Sequence, residues 1–154
     1  MKALTLTQPW ATLVAIGAKH YETRSWRTSY RGPLLIHAAR GYTHADRRIA
    51  IEQPQFRHAL DFHDPFKWVG HILALVDLID CIPTERFVAP GSHVGRDRVL
   101  ISSAEFAFGD YTAGRWAWRL MNVRRLVEPI PFNGSLGLWR APDSVVETVQ
   151  RSFS

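Results

Sequence analysis

A chain of 154 residues, 46% of them hydrophobic, is long enough for one domain with a sizeable core, because roughly 100–200 residues per domain is usual. A net charge of +5 favours anionic partners, whether nucleic acid, nucleotides or acidic surfaces, and an aromatic content of 12%, with six Trp, supplies core and stacking surface alike. A single cysteine, Cys81, excludes an internal disulfide. The N-terminus has no apolar leader run, and Asp77 and Asp80 interrupt the longest apolar stretch, so neither a signal peptide nor a membrane span is expected and a cytoplasmic location is.

In chain order, Lys2 to Thr7 reads as a first strand. Pro9 to Ile16 reads as a short helix that opens on proline, with Gly17 closing it. His20 to Trp26 is extended, Arg31-Gly32-Pro33 is a turn, and Pro33 to Ala39 is a buried strand. Thr43 caps a helix that runs toward Phe56 and breaks near Pro54. Ala59 to Lys67 reads as a loop or short helix, and Trp68 to Ile82 as a long strand.

Residues 83–103, with Pro83, Pro90, Gly91 and Gly95, form a long connection. Ser103 to Phe108 is a short helix and Gly114 to Val127 a second long strand. A turn is expected over Pro129-Ile130-Pro131 and Phe132-Asn133-Gly134, a closing strand over Gly137 to Arg140, and a last helix from Asp143, as N-cap, to Ser152. Five or six strands with few crossover helices predict an α+β fold, a small curled sheet or barrel with helices on its outside.

The segment Gly17-Ala18-Lys19-His20-Tyr21-Glu22-Thr23-Arg24 concentrates two cations and one carboxylate in six residues. On a continuous strand Glu22, Arg24 and Trp26 share one face, and Lys19, Tyr21 and Thr23 the other. A bend near Gly17 or His20 would instead bring Lys19 and Glu22 together. Such a cluster is either an ordinary surface ion-pair network or the floor of a site for an anionic ligand. The seven histidines show no tight metal-ligand spacing, so no metal site is expected, and without a Gly-rich phosphate loop neither ATP nor NAD is expected as a cofactor.

Several blocks in order carry a family resemblance. Gln8-Pro9-Trp10-Ala11, Gly17-x-Lys19-x-x-Glu22-x-Arg24-Ser25-Trp26, and Tyr30-Arg31-Gly32-Pro33 resemble the ASCH domain, as do Phe108-Gly109-Asp110-Tyr111, Gly114-Arg115-Trp116 and Gly134-x-x-Gly137-Leu138-Trp139. The resemblance spans nearly the whole chain and implies a single ASCH domain over 1–154, with a PUA-like β-barrel. It implies an RNA- or DNA-related role through a cleft beside the signature, and the reading adopted is a module that binds RNA or another single strand. A metal-independent ribonuclease or a modified-nucleoside amidohydrolase in the same cleft, acting on RNA or a nucleoside, is the alternative; the oligomeric state stays open.

In that frame Lys19 would bind a phosphate or act as a base, with Glu22 orienting it or serving as the general base. The amidohydrolase branch resembles Gly-x-Lys-Thr-x-Thr-x-Arg, with the second threonine as nucleophile; here Glu22 holds that position and Thr23 lies one residue later. Glu105 is the positional candidate for that branch's downstream glutamate. Candidate nucleic-acid contacts are Gln8, Trp10, Arg24, Trp26, Arg31, Tyr111, Arg115 and Ser135. Trp10 and Trp26 would stack bases, worth ~1–3 kcal/mol each. Arg96, Arg98, Arg115, Arg119, Arg124 and Arg125 are either a nucleic-acid track or charges that solvate an outer face.

Overall fold

The computed structural model describes residues 1–93 and 95–154. Along the chain lie β1 (Lys2–Leu6), α1 (Trp10–Ala15), β2 (Tyr21–Arg24), β3 (Gly32–Ala38), α2 (His44–Glu52), α3 (Pro54–Leu60), β4 (His71–Pro83), β5 (Phe87–Val88), β6 (Val99–Leu100), α4 (Ser103–Ala107), β7 (Trp116–Pro131), β8 (Leu138–Arg140) and α5 (Asp143–Arg151). Six strands form one sheet in the order β2-β7-β4-β3-β1-β8, with only β1 and β3 parallel, and β5 and β6 pair separately. The result is the expected α+β arrangement, a curled PUA-like half-barrel with five helices around it.

The curl has a local cause. The long pair β4 and β7 shifts register three times, between Ile72 and Ala74, Leu75 and Asp77, and Leu78 and Asp80. Each irregularity bends the ladder and adds twist. The sheet therefore rolls until β2, at one end of the strand order, approaches β1 near the other. Arg24 on β2 bridges that gap, its Nη2 donating to the Thr5 carbonyl on β1 at 2.9 Å.

Alternation assigns the two faces. Leu4, Leu6, Leu34, Ile36, Val76, Leu78, Trp118 and Leu120 pack on one face against Ala11, Val14 and Ala15 of α1. Their neighbours Ala3, Leu35 and Leu75 point the other way, where Val145 and Val149, one turn apart on α5, cover them. Cys81 is a buried free thiol within the first of these cores.

Proline placement decides several boundaries. The expected break near Pro54 is present, and a second helix, α3, starts on that proline, because its missing N–H costs nothing at the first helical position. The expected turn at residues 129–131 is the end of β7, where Ile130 and Pro131 pair with Ile72 and His71. The residues between Arg125 and Ile130 fall in a break of the ladder, so Pro129 removes no needed donor. Asp143 is the first residue of α5 and Pro142 its N-cap, whereas Thr43 caps α2 as expected through a reciprocal bond with Asp46. Trp68 belongs to a 3-10 turn, so β4 starts later than expected. The long connection over 83–103 carries β5 and β6; Val94 within it lies outside the described residues.

A buried relay fastens β1, β3 and β8 together. Trp139 Nε1 donates to Thr5 Oγ1 at 3.1 Å, and Thr5 Oγ1 lies 3.1 Å from His37 Nδ1. His37 Nε2 lies 2.7 Å from the Phe132 carbonyl, which can only accept, so the proton sits on Nε2 and Nδ1 accepts from the Thr5 hydroxyl. Gly134 packs so closely here that a Cβ would fall 2.5 Å from both His37 Nδ1 and Thr5 Oγ1.

Burial pushes the pKa of His37 below its ordinary 6.5. The unfolded chain then takes up the proton first, so His37 contributes stability above pH 6.5 that is lost as pH falls toward its folded value. The melting temperature of the wild type is expected to drop as pH falls below 6.5, more steeply than that of His37→Gln. Equal slopes in the two proteins would exclude this assignment.

Candidate functional site

The signature segment is positioned by the end of α1. Gly17 takes φ +80, a left-handed conformation that suits glycine, and the Ala18 and Lys19 amides both return to the Leu13 carbonyl at 2.9 and 3.0 Å. The chain thereby reverses, and Lys19 enters the protein instead of starting a strand. It is 1% exposed, its Nζ donating to the Phe108 carbonyl at 3.1 Å and lying 3.7 Å from Glu22 Oε1. The bend considered from the sequence is present, and it joins Lys19 to Glu22.

Glu22 sits on β2 opposite Trp118, and Arg24 opposite Trp116. The other oxygen of Glu22 accepts from Arg24, whose Nε and Nη2 each lie 3.2 Å away. One carboxylate therefore serves two cations, and the trio carries one net positive charge. Burial drives the pKa of Lys19 below its ordinary 10.5, with the Glu22 carboxylate as the main opposing influence.

A cleft of about 650 Å³ opens above this trio. Its walls come from β1 (Thr5 and Thr7), from Trp10 of α1, from β2 (Glu22, Thr23 and Arg24), from the loop after α4 (Gly109 and Asp110), from Arg115, and from Ser135 to Gly137 before β8. Arg115 is held by the Thr23 carbonyl at 3.3 Å and the Asp110 carboxylate at 3.5 Å. Hydrogen bonds from the Thr112 hydroxyl and amide keep the Asp110 carboxyl below the usual carboxylate range, with Arg115 helping. Leu136, 98% exposed, stands at the rim.

Of the residues singled out in the sequence, Trp10, Glu22, Arg24, Arg115 and Ser135 line this cleft. Lys19 lies beneath it. The remaining five are elsewhere. Gln8 is buried and caps α1, its Oε1 accepting from the Thr12 amide at 2.9 Å. Trp26 packs edge-on against Trp118 with ring centroids 4.7 Å apart. Arg31 donates to the carbonyls of Thr28 and Tyr30. Tyr111 stacks on Phe106 in a separate core, where burial raises its pKa. Glu105 is 4% exposed and does not line the cleft, accepting from the His20 amide at 2.8 Å and lying 2.9 Å from His20 Nδ1.

Thr5, Thr7 and Asp110 are cleft residues that sequence reasoning passed over. Asp110 had a signal, since it sits inside the Phe108-Gly109-Asp110-Tyr111 block; the two threonines look like ordinary strand residues. Thr23, expected on the far face of β2, reaches the cleft wall because the Gly109–Asp110 loop folds onto it, the Asp110 amide donating to Thr23 Oγ1 at 2.9 Å. The arginines do not form one track: Arg115 is in the cleft, Arg124 pairs with Asp77 at 3.2 Å, and Arg98 donates to the Glu85 carbonyl.

The buried ammonium gives a measurable pH signature. With its folded pKa lowered, Lys19 is protonated more readily in the unfolded chain, so its contribution to stability rises with pH up to 10.5. The melting temperature of the wild type relative to Lys19→Met is expected to increase from neutral pH toward 10.5. A difference that stays constant across that range would place Lys19 in solvent-like surroundings.

Comparison with known proteins follows the same residues. The ASCH domain profile matches residues 4–130, which includes the signature segment, Asp110 and Arg115. The chain is 28% identical over 153 residues to activating signal cointegrator 1 of Mus musculus and, equally, to that of Homo sapiens. In each case 97% of this chain is covered, and it spans about a quarter of the relative's length, 24%. With most of its length matched, the chain belongs to the ASCH domain family.

Proposed function

We propose that this protein is a nucleic-acid-binding module that takes a segment of RNA or another single strand into the cleft beside the signature. Membership of the ASCH family supports nucleic-acid interaction at the level of the family. The observation that carries the finer reading is the convergence of Arg24, Arg115 and the half-buried Trp10 on one cleft of about 650 Å³. A guanidinium binds phosphate through two parallel hydrogen bonds, and an indole face accepts any base, so the set favours single strands without demanding a sequence. Lys19 acts from below: it holds Glu22 at 3.7 Å, and Glu22 in turn orients Arg24.

This assignment ranks binding above hydrolysis. Glu105, the carboxylate assigned to acid–base work, is turned toward His20, and Lys19 Nζ is committed to the Phe108 carbonyl. Of Lys19, Glu22 and Glu105, Glu22 alone lines the cleft, and it is held between two cations.

Fluorescence anisotropy with a labelled single-stranded RNA tests the proposal. Trp10→Ala is expected to weaken binding by about 1–3 kcal/mol. Arg24→Ala and Arg115→Ala are each expected to weaken it and to flatten the slope of log K against log salt by about 0.7. Wild-type affinity and salt slope in all three variants would remove the cleft from the interface.

The chemistry of position 22 gives a second expectation. A carboxylate there repels an incoming oxyanion and offers no acyl nucleophile comparable to a threonine hydroxyl. Incubation with acetylcytidine is therefore expected to release little cytidine, and RNA is expected to remain intact, with or without EDTA. Turnover of either on the order of 1 per second, abolished by Glu22→Gln, would establish the hydrolase alternative.

A further inference from the structure

Helix α1 borders two depressions. Trp10 lines the signature cleft. Thr12 is two residues further and so about 200° around the helix, where it lines a second groove of about 290 Å³. That groove continues into a hollow of about 390 Å³, the two sharing Trp68, Arg125, Leu126 and Pro129. Together they have the capacity of a small-molecule site, typically about 300–1,000 Å³.

Four features of the groove are unexplained by the fold alone. Lys67 and Arg125 have no carboxylate within 4.0 Å among the described residues. The Lys67 ammonium lies 4.9 Å over the Trp68 ring, which holds it at the groove wall. Thr12 is 6% exposed, and its hydroxyl is buried with no hydrogen-bond partner among the described residues, an arrangement that costs stability unless something supplies one. Phe62, 99% exposed, stands at the edge of the same groove. The one carboxylate in the lining, Asp64, is engaged by the Phe66 amide at 3.0 Å.

We propose that this groove is a second site, for a phosphate-bearing ligand of nucleotide size. The phosphate lies between the Lys67 ammonium and the Arg125 guanidinium, where a point charge and a planar fork complement its oxygens. The Thr12 hydroxyl at the floor donates to the ligand, and the planar base covers Phe62. The ligand is either a free nucleotide or one nucleotide of a strand; both present the same phosphate and base. The inference does not rest on the signature cleft, because α1 separates the two sites.

Backbone amide shifts of ¹⁵N-labelled full chain are followed while AMP, adenosine, inorganic phosphate and a single-stranded RNA hexamer are titrated separately. AMP is expected to shift the amides of Thr12, Lys67 and Arg125, with phosphate competing and adenosine binding less well. Shifts there from the hexamer alone would support the site with a strand as the source. Lys67→Ala and Arg125→Ala are each expected to raise the Kd about fivefold or more, the size of one lost charge-assisted contact. Thr12→Val, which keeps the side-chain volume, is expected to weaken binding without lowering the melting temperature, since it removes an unpartnered hydroxyl. Arg115→Ala is expected to leave the groove shifts in place. No shift of these amides by any of the phosphate-bearing probes, or shifts confined to Gly109 and Gly137 in the cleft, would overturn the proposal. Failure of the cleft reading registers at Gly109 and Gly137 instead.

Discussion

The structure turns on one buried ammonium. An unpaired charge taken out of water costs several kcal/mol even after relaxation, so the Lys19 side chain dictates what surrounds it. Glu22 must sit within reach, and the Phe108 carbonyl must point inward. A carboxylate flanked by one buried cation and then by Arg24 is fixed from both sides. Arg24 cannot relax toward solvent without leaving Glu22 less compensated, and its Nη2 also donates to the Thr5 carbonyl across the seam of the sheet. The half-barrel is thus drawn together by a charge chain that starts inside the protein. Removing the first link is expected to be felt at the last, although Lys19 precedes β2 and Thr5 lies on β1.

Thr5 is where this chain meets the second constraint. Its carbonyl accepts from Arg24, while its hydroxyl lies in the relay between Trp139 and His37. The backbone of one residue serves the cleft and its side chain serves the core. Rigid support of this kind is what a binding site needs if its guanidinium groups are to be held in place before a ligand arrives. It also explains why Gly134 tolerates no side chain: the loop that supplies Ser135 and Leu136 to the cleft rim crosses directly over the relay.

Much of the fold was legible in the sequence, because it follows from local rules. The helix opened by proline and closed by Gly17, the Thr43 cap, the buried strand after Pro33 and the closing strand before Arg140 all appear. What failed depended on partners distant in sequence. Pro129 and Pro131 look like turn residues until β4 is laid beside them with a broken register. The spacing of the signature grouped Lys19, Glu22 and Arg24 correctly. It could not reveal that the lysine lies beneath the cleft, which follows from the reversal at Gly17. Glu105 and Tyr111 were assigned by proximity to motif blocks. Packing of α4 instead turns Glu105 toward His20 and Tyr111 into an aromatic cluster with Phe87 and Phe106.

Net charge, too, acquires meaning only through placement. Most cations near the signature are balanced where they stand: Arg115 by Asp110, and Lys19 with Arg24 by a shared Glu22. The excess positive charge of the Lys19, Glu22 and Arg24 trio is therefore held in fixed geometry, with Asp46 on the facing wall, and the cleft is no indiscriminate basic surface. Arg125, read in the sequence as one member of a scattered arginine track, lies instead beside Lys67 and Trp68 in a groove of its own. Two small, separately built clusters are a different device from a continuous basic stripe. A stripe gains affinity by neutralising many phosphates and loses it steeply with salt. Fixed clusters that contact few phosphates depend more on the aromatic surface beside them, and so retain more of their affinity as salt rises.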